Sequence, residues 1–148
     1  MLHRNKKVSD HHAGKYNGLG GKAEPGESPE NCVIREVKEE SGYTLQGYTW
    51  HGHLFFPGFT PGKDWLVFIY TSEEFTGQEL SSPEGTLHWV KESELLQLPL
   101  WPGDLKFLPW IMENKLFSGE FLYENGEFKD YRVTFLGDAV KASLTKGS

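Results

Sequence analysis

Apolar and polar residues alternate with two different periods along this chain, and the changes of period mark out its elements. In PENCVIREVKEES, Val33, Ile34 and Val37 recur at helical spacing. Ser28 is suited to cap that segment, Pro29 to open it and Gly42 to close it, so a helix is predicted over Pro29–Ser41. Residues 44–56 and 65–72 read as strands, the second rich in aromatic and β-branched side chains. A third strand is expected over 87–90, followed by a short acidic segment over 91–98. Pro102 and Asp104 open a second helix over 105–115, with Leu105, Leu108, Ile111 and Met112 near one face. Strands over 117–124 and 127–135 flank Asn125-Gly126, a strong hairpin signal. The first three residues read as the end of a strand, 4–15 as a polar loop, and 137–148 as a loose polar tail. This order predicts a mixed α/β (α+β) fold with helices covering a sheet.

Length and charge narrow the picture. At 148 residues the chain suits a single domain over 1–148. Fifteen basic against twenty-one acidic side chains, a net charge of −6, argue against gripping a nucleic acid polymer through the overall field. One cysteine, Cys32, excludes an internal disulfide framework and a thiolate zinc cluster, which suits a reducing cytoplasm. No apolar run approaches the roughly 20 residues of a membrane span, and the start has no signal-peptide character. The expectation is a soluble, cytoplasmic protein.

The stretch over 20–43 carries the candidate chemistry. Glycines crowd the approach to the first helix, and Glu36, Glu39 and Glu40 then fall on one patch of it. At about 100° per residue, Glu40 lies about 40° to one side of Glu36 and Glu39 about 60° to the other. The patch borders the apolar stripe of Val33, Val37 and Ile34. Like charges so spaced repel by roughly 0.2–0.5 kcal/mol per pair, so something must offset them. One reading is a structural acidic face eased by an Arg35–Glu39 pair. The other is a hard-oxygen site for Mg²⁺, with Mn²⁺ as the alternative, at the mouth of a glycine turn. Magnesium shares its shell with phosphates, so the second reading implies a polyphosphate ester as partner.

These residues resemble a known family. Gly21, five residues, Glu27, seven residues, then REVKEESGY over 35–43 matches the Nudix box G-x5-E-x7-R-E-U-x-E-E-x-G-U at every fixed position. Tyr43 is bulkier than usual for the last aliphatic place. KYNGLGGK, EGTLHWV and LWPGDLKFLPWIMENKLFSGEFLYENG extend the likeness over about 15–133 to oxidised-purine nucleoside triphosphatases of the MutT type, the 8-oxo-dGTP diphosphatases. The resemblance implies an α/β/α sandwich around a mixed sheet. It implies water attack on a triphosphate, releasing a nucleoside monophosphate and pyrophosphate.

The resemblance also implies roles. Glu36, Glu39 and Glu40 match the metal-binding carboxylates, with the Gly20 carbonyl as a further ligand. Arg35 and Glu27 match the pair that keeps loop and helix in register. Glu84 matches a carboxylate outside the box that binds metal or assists water; an exposed turn acid is the alternative. Lys22 lies beside the expected phosphate path, with a solvated lysine as alternative. Asn17 and the Trp101–Asp104 loop would read the base, an amide offering donor and acceptor and an indole a stacking face. A turn asparagine and a core tryptophan are the alternatives.

The sequence departs from the family in two places. Where animal relatives have two adjacent acids after Trp-Pro, this chain has Gly103-Asp104. A whole strand normally precedes the stretch matching the first four residues, and an unpaired edge there would invite dimerisation; monomer and homodimer are both open. Pro57 and Pro61 are reminiscent of ADP-ribose-cleaving relatives, although prolines in FPGFTPG are first of all turn formers. Small nucleotides are the expected partners, with a non-catalytic nucleotide sensor as the rival class. His11-His12 read first as solvated histidines of a polar loop, with a phosphate or metal contact as the alternative; His51, His53 and His88 are assigned no chemistry, and His51 and His53 are expected to alternate on one strand face.

Overall fold

A computed structural model describes residues 2–3, 16–17, 19, 21–60, 62–79, 86–87, 89–100, 102–125 and 127–143. Contacts divide the chain into two compact units, Met1–Gln46 with Glu74–Trp101, and Gly47–Glu73 with Pro102–Ser148.

In the first unit β1 (Leu2–His3) pairs antiparallel with both β2 (Tyr16–Asn17) and β7 (Thr86–Leu87). Helix α1 spans Pro29–Ser41, the bounds its caps predict. Ser28 Oγ accepts from the Asn31 N–H at 3.1 Å. At the other end Gly42 turns left-handed at φ 84° and its N–H closes on the Lys38 carbonyl. The helix packs on β3 (Tyr43–Leu45), which pairs antiparallel with β6 (Phe75–Gly77). Tyr43, the bulky member of the Nudix box, meets Phe75 edge-on at 5.0 Å and Trp89 at 6.0 Å. That aromatic corner gives its ring a packing role that a shorter aliphatic side chain would leave unfilled. The acidic segment forms a 3-10 helix, Glu92–Gln97.

The second unit is a five-stranded mixed sheet around the long strand β4 (Gly47–Thr60). β5 (Lys63–Thr71) runs antiparallel to it. β8 (Lys115–Glu124) lies parallel to it, Gly52–Phe55 facing Phe117–Glu120 in register. The Asn125 turn, at φ 53°, leads β8 into antiparallel β9 (Glu127–Asp138). Helix α2 (Asp104–Met112) packs on β8. Leu54, Phe117 and Phe121 are fully buried. Around Phe121 stand Phe107, Trp110, Phe128 and Tyr131, ring centroids 5.6–6.1 Å away. The class is mixed α+β with a mixed sheet, as the pattern predicts.

Several boundaries differ from expectation for local physical reasons. The first strand is broken at Gln46, whose N–H is taken by the Glu74 carbonyl at 2.7 Å. β4 then continues through Pro57, where the ladder to β5 slips register between Phe56 and Thr60, a place that tolerates a residue without an N–H. α2 stops at Met112 because Asn114 turns left-handed, φ 58°, and bonds the Ile111 carbonyl, freeing Lys115 to start β8. The tail is corrected most: β9 runs to Asp138, and β10 (Val140–Ser143) pairs antiparallel with β4 from Trp50 to Gly47.

His51 and His53 do not form a simple alternating pair. His51 is the extra residue of a β-bulge, β4 passing from Trp50 opposite Tyr70 to Gly52 opposite Ile69. It is 2% exposed, with Nδ1 3.3 Å from the Lys115 carbonyl and Nε2 2.8 Å from Thr71 Oγ1. Burial lowers its pKa from 6.5, and the two partners suit a neutral ring that donates from Nδ1 and accepts at Nε2. His53 instead meets Ser118 Oγ at 2.9 Å. His11, His12, His88 and Pro61 lie outside the described residues.

Candidate active site

The centre of the loop–helix junction is Arg35. Its Nε and Nη2 grip the two oxygens of Glu27 at 2.8 and 3.0 Å, a planar two-point bond that lysine could not reproduce. Nη2 also donates to the Lys22 carbonyl at 3.0 Å. Nη1 reaches Glu36 Oε1 at 2.9 Å and Glu39 at 3.3 Å. One guanidinium thus ties the loop over 22–27 to the helix and screens two of the three clustered glutamates. The Arg35 bonds supply the offset to their repulsion in this structure.

The three glutamates sit differently. Glu36 is largely shielded and pressed against the chain at Gly21, where a Cβ would stand 2.5 Å from Oε1 and 2.7 Å from Oε2. A side chain at position 21 would have to push that carboxylate aside. Glu39 is 58% exposed, so its long contact with Arg35 is weak and easily exchanged. Glu40 is 6% exposed. Among the described residues no three His, Cys, Asp or Glu side chains stand close enough to share a metal ion. Sequence spacing put three carboxylates on one patch, but side-chain direction then separates them.

Glu27 is held at about 2 from an ordinary 4.5, first by the Arg35 bonds and next by the Glu24 N–H, which it accepts at 3.0 Å. The same bonds to Glu27 raise Arg35, keeping it charged. Because the folded value of Glu27 lies below the unfolded one, its contribution to stability is complete above about pH 4.5 and fades as pH falls towards 2. Glu27→Gln should therefore be less stable than wild type at pH 7, with the gap closing at pH 3. Urea melts at both pH values test this; an unchanged gap would remove Glu27 as the acid-sensitive group. Cys32 is buried, its thiol raised chiefly by burial and directed to the Gly21 carbonyl at 3.6 Å, so it packs the loop and is no nucleophile.

In the second unit Asp104 is the first residue of α2. The Gly103 carbonyl accepts from Lys106 and Phe107 N–H at 3.0 and 3.3 Å. Gly103 N–H in turn donates to the Tyr123 hydroxyl at 2.8 Å. Tyr123 had no sequence signal beyond its place in a strand, because its partner lies 20 residues away. Lys22 is exposed in the loop. Gly20, Glu84 and Trp101 lie outside the described residues, as does the side chain of Asn17, whose backbone pairs with Leu2 in β2.

The NUDIX domain family model matches residues 1–111. The chain belongs to the Nudix family. It is similar to an uncharacterized Nudix hydrolase of Bacillus subtilis, YvcI, at 36% identity over 120 residues, 77% of this chain and 76% of the relative. It is 30% identical over 113 residues to the oxidized purine nucleoside triphosphate hydrolase of Mus musculus, covering 76% of this chain and 72% of the relative. Among solved structures, the mutator MutT protein of Bacillus halodurans superposes with a TM-score of 0.75 at 35% identity, covering 81% and 82% of the two chains. This Nudix hydrolase therefore shares both box and fold with the MutT proteins. Nudix hydrolases use a divalent metal and act on small nucleotides. The donor chemistry is that of such an ion, carboxylates beside a glycine cradle, although among the described residues they do not stand close enough together to share it.

Proposed function

We propose that this Nudix hydrolase cleaves oxidised purine nucleoside triphosphates, 8-oxo-dGTP foremost, to a nucleoside monophosphate and pyrophosphate, as one catalytic domain over 1–148. The observation that carries the reading is the Arg35 network, which ties the loop over 22–27 to the helix that carries Glu36, Glu39 and Glu40. The substrate class is supported by likeness to the mouse enzyme named for it.

Glu36, Glu39 and Glu40 would hold Mg²⁺ or Mn²⁺, with the Gly20 carbonyl and Glu84 completing the set. The ion supplies neutralising charge to the triphosphate and acidity to water. Arg35 and Glu27 keep the loop from spreading as that charge arrives. Lys22 attracts the phosphates, while Asn17, Trp101 and Asp104 read the base. The setting is the cytoplasm, with the protein a monomer or homodimer and with neither nucleic acid polymer nor membrane as partner.

With Gly103 where relatives carry an acid, Asp104 has no adjacent carboxyl and acts as an acceptor. Losing one well-placed hydrogen bond costs a few-fold to about tenfold in affinity. The expected ranking by kcat/KM is 8-oxo-dGTP above dGTP, with oxidised adenine triphosphates lower than oxidised guanine by at least a few-fold, roughly one hydrogen bond's worth. Pyrophosphate release across a panel including ADP-ribose, with and without Mg²⁺, is the test. A preference for ADP-ribose would overturn the substrate class, and binding without Mg²⁺-dependent turnover would favour a sensor.

A further inference from the structure

Helix α2 begins without a capping side chain: its N-cap is Gly103, at φ −65° and ψ −32°, and no side chain bonds its first turn from that position. The turn is fixed from the sheet by Tyr123, whose hydroxyl takes the Gly103 N–H at 2.8 Å in a buried bond. The Tyr123 ring cannot readily retreat. It is packed among Phe56, Phe59 and Phe128, with centroids at 6.2, 5.3 and 5.5 Å. A Cβ on residue 103 would meet that hydroxyl at 2.5 Å and Phe121 Cδ2 at 2.9 Å. The volume beside position 103 is therefore already filled, and no side chain, acidic or otherwise, fits there without displacing aromatic rings.

We propose that Tyr123 is a positioning residue that sets base selectivity through Gly103. Its hydroxyl occupies the space a second acid would need and aims the neighbouring Asp104 by pinning the first turn of α2. The inference rests on the reading of Asp104 as a base contact. A pinned single acceptor selects purine edges that present a donor. Released, the same carboxylate swings and discriminates less.

Tyr123→Phe keeps the ring and removes only the hydroxyl, so the fold should survive. On the nucleotide panel, the ratio of kcat/KM between the best substrate and the runner-up should fall at least about fivefold, carried by KM, with kcat on the best substrate within about twofold. Amide exchange at Gly103, read without substrate, should quicken by about tenfold or more. Gly103→Ala should lower the unfolding midpoint, and combining it with Tyr123→Phe should recover part of that loss, because the hydroxyl makes the nearer of the two clashes and Phe121 the other. A selectivity ratio within twofold of wild type, unchanged Gly103 exchange, or strict additivity of the two substitutions would each overturn the proposal. If ADP-ribose ranks first, the substrate reading fails while the ratio still judges Tyr123. If nothing is turned over, the ratio is taken from Kd values on the same panel.

Discussion

Glu40→Gln should cut turnover on the best substrate by at least about a hundredfold, roughly 2.7 kcal/mol of lost transition-state stabilisation, while the protein stays folded. Of the three clustered acids Glu40 gives the cleanest test. Arg35 bonds Glu27, Glu36 and Glu39, so Glu36→Gln also disturbs the junction, whereas Glu40→Gln leaves those bonds in place. Glu40 is 6% exposed and has a partner of its own, so a thermal melt is what separates lost chemistry from lost packing. Initial rates of pyrophosphate release at saturating Mg²⁺, beside a thermal melt, provide the check. Wild-type kcat in a folded Glu40→Gln protein would end the metal-binding role of Glu40.

The second large effect is structural. Gly52 lies at φ +105°, where β4 leaves its bulge and begins to pair with β8, and a Cβ there would run into the Phe117 carbonyl. Gly52→Ala thus combines backbone strain with a collision against a ladder carbonyl that cannot swing aside. Such strain costs about 1–3 kcal/mol and overpacking about as much again, so a loss of roughly 2–6 kcal/mol is expected. For a chain of this size that is a fall of roughly 5–20 °C in the midpoint. A melt within 2 °C or so of wild type would show that β4 and β8 can separate there at little cost.

The parts of the fold legible in sequence were those encoded by near neighbours. Ser28, Pro29 and Gly42 delimit α1 by chemistry within one turn, and Asn125 takes the positive φ that the hairpin needs. Features decided by distant partners were not legible. Val140–Ser143 is short and mostly exposed, and it becomes a strand because Gly47–Trp50 offers an edge to pair with. Pro57 reads as a stop, yet the β5 register slip accommodates it. In the site, the motif placed Glu27 and Arg35 together, since a two-point bond was encoded by their spacing along the loop and helix. The i, i+4 spacing anticipated the Arg35–Glu39 pair, but not that Arg35 would also hold Glu36 while Glu40 is buried, because helical angle gives the face of a residue and leaves its rotamer open. Gly103 was legible as a missing acid, but the reason it is glycine lay in Tyr123.

The pairing of β4 also bears on how the chain is made. As it leaves the ribosome, β5 follows β4 at once and can form a hairpin, but β8 is synthesised more than fifty residues after Gly52, and β10 comes later still. Until then one edge of β4 has its N–H and C=O groups unmatched, with Trp50, Phe55 and Phe56 beside them. Closing such distant pairs is slow, and an open edge in the meantime can capture another nascent strand. Fast synthesis at high concentration should therefore favour inclusion bodies, and slower synthesis in the cold should favour soluble protein.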